Sequence, residues 1–388
     1  MNNAVYLQSG GPTSVINSSF YGVISQFQKE NKIDHLYGAK YGISGLINDQ
    51  LIEISRKKDY SYLTKLPGAI LGSARIKLTS SCEAIEKILS TIEKYSIKYV
   101  FVNGGNDSMD TGMVLNKVFK ERNIDCVVVG IIKTIDNDLY QTDFIPGFAS
   151  AVNYIVRSIM EISFDVRSYQ KGRVTVIETM GRDTGWLCAS SSIAQDYDLG
   201  PDLIYVPETS FSEEKFIQDV ERIYKEKGRV LVCVSEALKD ENGNYIFCDD
   251  CNLDSFGHIQ LGSVGISLCE LIKNKLHYST RHIELNLMQR CSSHISNKND
   301  IKWAKLCGVN AVKYALKKQS GVVVIKIKDH KFSYELVDFE KVANKVKEMP
   351  RDFINKEGNG ISNKGKEYFS YFKDDSIYLE IPQDFNLE

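Results

Sequence analysis

Uninterrupted apolar runs, most of them closed by glycine, alternate along this chain with stretches whose apolar residues recur every three to four positions. In the first half, the runs at 4–8, 99–102 and 126–132 read as strands, and the stretches at 15–28 and 108–120 read as amphipathic helices. Strands buried on both faces carry near-continuous apolar sequence, whereas strands with one wet face alternate. The pattern therefore predicts βα units building a mostly parallel sheet, an α/β fold. A second series starts at Pro146 and Gly147: helix-like 148–164, strand-like 173–179, helix-like 184–194, strand-like 203–206, helix-like 211–227 and strand-like 230–235. It predicts a second α/β domain facing the first, joined to it without a sequence repeat or a low-complexity linker. Beyond Gln289 come a helix-like 301–317 and a strand-like 321–327; the charged, aromatic-rich tail from Asp329 predicts no element.

This layout says where chemistry can sit, because ligands of parallel sheets bind at the carboxyl ends of the strands. Three turns of unusual composition fall there. Gly10, Gly11 and Thr13 open a helix after the first strand, so backbone N–H groups can approach an anion unobstructed by side chains. Alone the turn fits an ordinary βα connection equally well; the convergence of three such turns on one sheet edge favours phosphate. Gly104, Gly105, Asn106, Asp107 and Ser108 follow the second strand. Lys133, Thr134, Ile135, Asp136, Asn137 and Asp138 follow the third, placing two carboxylates two residues apart beside a lysine. Such a group suits a site that deprotonates a hydroxyl and holds a metal next to a phosphate, which makes phosphoryl transfer the leading chemistry.

Composition removes other classes. A chain of 388 residues, 43% hydrophobic and 25% charged, is ordinary globular material with room for two cores. A formal net charge of −2 draws neither nucleic acid nor anionic lipid, so a phosphate ligand must be held by local lysines and arginines. The start of the chain has no basic leader before an apolar core, and no apolar run is long enough to span a bilayer, so a cytoplasmic, membrane-free protein is expected. Nine scattered cysteines fit reduced thiols rather than a disulfide framework. Cys248 and Cys251 form a CxxC, but a second ligand pair with zinc-ribbon spacing is missing, which favours a structural or incidental role.

The motifs taken together, "SGGPTSVIN" at 9–17, "LGSAR" at 71–75, "GGNDS" at 104–108, "KTIDND" at 133–138, "MGRDTGW" at 180–186, "SE" at 235–236 and two arginines spaced as R-x8-R ending in Gln289 and Arg290, resemble the phosphofructokinase family over roughly positions 4 to 325. The resemblance implies two Rossmann-like three-layer domains with the active site in the cleft between them: 1–147 plus about 289–340 for the phosphate donor, and 148–288 plus the C-terminal segment for the sugar phosphate. It implies that Asp136 is the base for the sugar's 1-hydroxyl, with Lys133 and Thr134 also catalytic, and that Gly10, Gly11, Arg75, Gly105, Asp107 and Ser108 bind the donor. Mg²⁺ is the implied cofactor. In the family the third position of the "GGNDS" turn is commonly a metal-binding aspartate; here it is Asn106, a poorer ligand, so the implied metal set of Asp107, Asn106 and Asp138 leans on the two aspartates.

Two further residues resemble the pyrophosphate-dependent subfamily. Asp107 stands where ATP-using relatives carry a glycine that leaves room for the α-phosphate, and Lys133 stands where those relatives carry another glycine. Added bulk and negative charge oppose a nucleotide, and an added ammonium suits a bare diphosphate. The sugar phosphate falls to arginines, whose planar fork matches phosphate oxygens. Arg173 lies nine residues before Arg182, and Arg281 nine before Arg290. By resemblance Arg173 and Arg281 reach in from a neighbouring subunit, which implies a homodimer or homotetramer with shared sites. Arg182 and Arg290, with Met180, Gly181, Glu236, Thr134, Asp136 and Asp138, hold the sugar within one chain. Relatives often carry a glycine and a histidine or tyrosine at 285–288, where this chain has Leu285, Asn286, Leu287 and Met288; His258 has no assigned role. The expected reaction is reversible transfer from pyrophosphate to fructose 6-phosphate in glycolysis and gluconeogenesis. Use of ATP, a catalytically silent regulatory chain, and acceptors such as sedoheptulose 7-phosphate stand as the alternatives.

Overall fold

The computed structural model describes residues 1–74, 76–79, 83–181, 183–247, 262–329 and 331–382. In chain order the elements are β1 (Asn3–Gln8), α1 (Ile16–Lys29), β2 (Leu36–Ala39), α2 (Ile43–Ile47), β3 (Leu51–Ile54), α3 (Glu83–Lys94), β4 (Ile97–Gly104), α4 (Asn106–Glu121), β5 (Val127–Ile132), α5 (Phe148–Arg167), β6 (Val174–Thr179), α6 (Trp186–Ser190), β7 (Leu203–Tyr205), α7 (Glu213–Lys227), β8 (Val230–Ser235), α8 (Val264–Leu276), β9 (Thr280–Glu284), α9 (Met288–Cys291), α10 (Lys298–Leu316), β10 (Gly321–Lys328), β11 (Lys331–Val337) and α11 (Asn363–Ser370). The chain divides into two compact units, Met1–Ser150 with Arg290–Val346, and Ala151–Gln289 with Lys347–Glu388.

Among the described residues the first unit holds a seven-stranded sheet ordered β11-β10-β5-β4-β1-β2-β3. Its five central strands run parallel, and an antiparallel strand closes each edge, β3 on β2 and β11 on β10. The apolar runs that mark β1 and β5 are buried along their whole length, which is what a parallel strand covered on both faces requires. Edge strand β11 instead alternates, with Lys331, Ser333 and Glu335 exposed, a charged edge that resists pairing with another chain. Helices α1 and α10 pack along each other at backbone distance. A Cβ on Gly22 would lie 2.0 Å from the Lys305 carbonyl oxygen, and one on Gly308 2.1 Å from that of Ser19, so both positions demand glycine.

The second unit holds a four-stranded parallel sheet ordered β7-β8-β6-β9. Its core gathers Val174, Val176, Val230, Val232 and Val234 from the sheet with Phe216, Val220, Leu268 and Ile272 from α7 and α8. Helix α7 is bounded as its sequence dictates: the Ser212 hydroxyl accepts from Lys215 N, acids fill the first turn, lysines the last, and left-handed Gly228 ends it. The helix expected at 184–194 is shorter. It is regular only through Ser190, whose hydroxyl bonds back to Leu187 O, and continues as a 3₁₀ turn through 191–197.

Candidate active site

Strands β5, β4 and β1 lie side by side and parallel, so the three turns at their carboxyl ends meet. Gly10 takes a left-handed φ of 75°, and a Cβ there would lie 3.4 Å from Lys133 Nζ, 3.8 Å from Ser108 Oγ and 4.0 Å from Gly105 N. Lys133 is only 2% exposed and donates from Nζ to Gly11 O at 2.5 Å. A buried ammonium is costly unless paired or hydrogen-bonded, and this one is hydrogen-bonded to the backbone of the glycine turn. Gly104 is closely confined, since a Cβ would lie 2.0 Å from Ser108 Oγ. That hydroxyl is buried with no hydrogen-bond partner among the described residues.

The carboxylate turn is held from within. Thr134 Oγ1 donates to Asp136 Oδ2 at 3.1 Å and accepts from Asp136 N at 3.2 Å. Asp136 and Asp138 are half-buried, while Asn137 between them is buried with a φ of 56°. Asp107 is exposed in the first turn of α4. Asn106 beside it turns its amide to another segment: Oδ1 accepts from Asn344 N at 2.6 Å and Nδ2 donates to Lys345 O at 3.1 Å. Arg290 also belongs to this unit, and a Cβ on Gly11 would lie 3.0 Å from its guanidinium.

In the second unit Gly181 follows β6 with a φ of 139°, and a Cβ there would lie 2.6 Å from Thr184 O. Its N–H donates to Glu236 Oε1 at 3.1 Å, Ser235 Oγ donates to Gly181 O at 3.0 Å, and Met180 N donates to buried Gln289 at 3.2 Å. Met180, Gly181 and Glu236 thus share the carboxyl end of this sheet. Arg173 and Arg281 lie at the opposite end. Arg173 precedes Val174, the first residue of β6, and Arg281 pairs in register with Thr175. Both are exposed, and Arg281 lies 3.7 Å from Asp165. At about 3.3 Å per strand residue, roughly 20 Å separates Arg173 from Met180.

Arg75, Arg182, Cys248, Cys251 and His258 lie outside the described residues. Sequence reasoning passed over Asp300, a fully buried carboxylate that binds Gly147 N and Ser150 N. Burial pushes its pKa up to about 6, against hydrogen bonds from Ser150 and Gly147 that pull it down. The only local signal was an acid in the first turn of a helix, which normally marks a solvated residue.

Glycine turns, a buried lysine and a hydrogen-bonded carboxylate at one parallel sheet edge are the equipment of a phosphotransferase. The chain belongs to the phosphofructokinase family, whose family model matches residues 3–315. It is 34% identical, over 95% of its length and 90% of the relative's, to the pyrophosphate–fructose 6-phosphate 1-phosphotransferase of Xanthomonas campestris pv. campestris (strain B100). It is 32% identical, over 82% of its length and 81% of the relative's, to a sulfofructose kinase of Alkalicoccus urumqiensis. The crystal structure of a pyrophosphate-dependent phosphofructokinase from Marinobacter aquaeolei superposes with a TM-score of 0.86 at 30% identity, covering 96% of this chain and 91% of that one. Among the described residues no helix is long and apolar enough to cross a membrane.

Proposed function

We propose that the protein transfers a phosphoryl group reversibly from pyrophosphate to the 1-hydroxyl of fructose 6-phosphate, giving fructose 1,6-bisphosphate and inorganic phosphate. The observation that carries this reading is the buried Lys133 ammonium beside Gly10 and Gly11. A fixed cation there neutralises a small, highly charged donor that has no nucleoside to anchor it. Asp107 adds a negative charge in the first turn of α4, which a nucleotide's α-phosphate would have to meet. The names of the Xanthomonas relative and the Marinobacter structure support the same donor.

In this reading Gly10, Gly11, Gly105 and Ser108, with Arg75, cradle the diphosphate. Asp136 removes the proton from the 1-hydroxyl as that oxygen attacks phosphorus and inorganic phosphate leaves in line. The Thr134 hydroxyl fixes the orientation of the Asp136 carboxylate. Met180, Gly181, Arg182, Glu236 and Arg290 are assigned to the sugar phosphate within one chain, as is Asp138.

Arg173 and Arg281 complete a different copy's site. Their place at the amino end of the sheet, away from Met180 at the carboxyl end, supports this assignment. On this reading the enzyme works as a homodimer or homotetramer with shared sites.

Among the described residues no three or more His, Cys, Asp or Glu side chains group as a metal cage. Mg²⁺ needs no such cage, since it keeps waters and takes one or two carboxylates plus substrate phosphates. The oxygen donors Asp107 and Asp138 fit it, with Asn106 committed to the 344–345 backbone. Bound there, Mg²⁺ would neutralise charge on the donor phosphates. A reducing cytoplasm suits the free thiols Cys188 and Cys233, which lie 3.6 Å apart, sulfur to sulfur.

The test is direct. The purified chain, given pyrophosphate, Mg²⁺ and fructose 6-phosphate with no other protein, should form fructose 1,6-bisphosphate. Folded protein that forms none would overturn the reading and leave the silent regulatory role.

A further inference from the structure

Three hydrogen-bond donors converge on a single carboxylate more than 150 residues away in sequence from the proposed base. Asp300, in the first turn of α10, accepts from Gly147 N at 3.0 Å through Oδ1 and 3.2 Å through Oδ2, from Ser150 N at 2.9 Å and from Ser150 Oγ at 2.6 Å. Gly147 and Ser150 belong to the start of α5, so the carboxylate caps that helix from outside its own sequence. The Ser150 hydroxyl also accepts from Asn297 N at 3.2 Å, and Asn297 caps α10, so the starts of the two helices are buckled together.

Gly147 is at the same time a direct neighbour of the carboxylate turn. It forms a parallel bridge with Thr134, and its φ of 113° brings its Cα so close that a Cβ would lie 3.0 Å from Thr134 O. Thr134 in turn holds Asp136 by two hydrogen bonds. The path from Asp300 through Gly147 and Thr134 to Asp136 is therefore contiguous, each link a direct contact.

We propose that Asp300 is a positioning residue for the phosphoryl transfer: it touches no substrate, but by fixing Gly147 it sets the orientation in which Thr134 presents the Asp136 carboxylate. The proposal rests on the reading of Asp136 as the base. The carboxylate is specifically required. Every partner named here is a donor, and an amide at this position would set its own N–H₂ against one of the backbone N–H groups.

Asp300→Asn should lower kcat by about 10- to 100-fold while KM for both substrates stays within about threefold, since alignment rather than binding is lost. Hydrogen–deuterium exchange, followed by mass spectrometry, should quicken in 133–138 and 147–150 but not in the strands of the second sheet. Ser150→Ala removes one donor and keeps both backbone N–H groups, so it should show the same pattern at about threefold in kcat; it also serves if Asp300→Asn does not fold. Wild-type kcat and unchanged exchange at 133–138 in folded Asp300→Asn would overturn the proposal. So would a variant that only melts earlier, with kcat intact at low temperature, or a Ser150→Ala protein with neither effect. If Asp136→Asn keeps normal turnover, the base assignment fails instead, while faster exchange at 133–138 in Asp300→Asn would still report the coupling.

Discussion

The two parallel sheets hold their candidate residues differently. In the first unit, Gly10, Gly11, Gly105, Ser108 and Lys133 come from three neighbouring strand ends and lie within a few ångströms of one another. In the second, the candidate residues are divided, with Arg173 and Arg281 at the amino end of the sheet and Met180, Gly181 and Glu236 at the carboxyl end. On the reading proposed above, the donor side is assembled by one chain, whereas a sugar-phosphate side drawing on both groups would make substrate binding depend on a second copy.

The largest effect should come from the first region. Asp136→Asn should fold normally and lose turnover by several orders of magnitude in steady-state assays, because no other group replaces the base. Near-wild-type turnover would remove Asp136 from that role and with it the functional unity of the turns.

The second region is broken or sharpened by mixing. Arg281→Ala and Arg290→Ala should each raise KM for fructose 6-phosphate by roughly 10- to 100-fold, the loss of a charge-assisted phosphate contact. Co-assembled from the two variants, a dimer should recover about a quarter of wild-type activity, since half of the pairs carry one intact site of two. No recovery on mixing would mean that Arg281 and Arg290 do not serve a shared site.

A smaller effect concerns the support beneath the first region. Asp300 titrates in the folded protein at about 6, above its ordinary value of 3.8. Its contribution to stability is therefore fully present below pH 3.8 and is lost as pH rises through about 6, a change of about 3 kcal/mol for this fully buried group. Denaturant unfolding across pH 4 to 7 should show that decline in the wild type and not in Asp300→Asn. Parallel curves for the two proteins would place the titration elsewhere.

What the sequence made legible, and what it hid, follows the same division. Strands buried on both faces, such as β1, β5 and β8, announced themselves as apolar runs. Edge strand β9, reading Thr280, Arg281, His282, Ile283 and Glu284, has no such run because much of it is exposed, and the β2–β3 pair is too short to stand out. The three turns were legible as motifs, but the bond from Lys133 to Gly11 was not, since it depends on β5, β4 and β1 being neighbours in space. Asp300 and Gly147 were hidden for a related reason. Their value lies in a contact across 153 positions, and neither residue type is unusual at a helix start.

The central claim is that the Lys133 ammonium and the Asp107 carboxylate select a bare diphosphate. The most direct measurement is kcat/KM for pyrophosphate and for ATP, compared between the wild type and the Asp107→Gly, Lys133→Gly double variant. The account predicts at least about a hundredfold preference for pyrophosphate in the wild type, with the ratio moving toward ATP in the double variant as charge and bulk are removed. Equal use of both donors by the wild type, or a ratio unmoved by the double substitution, would contradict it.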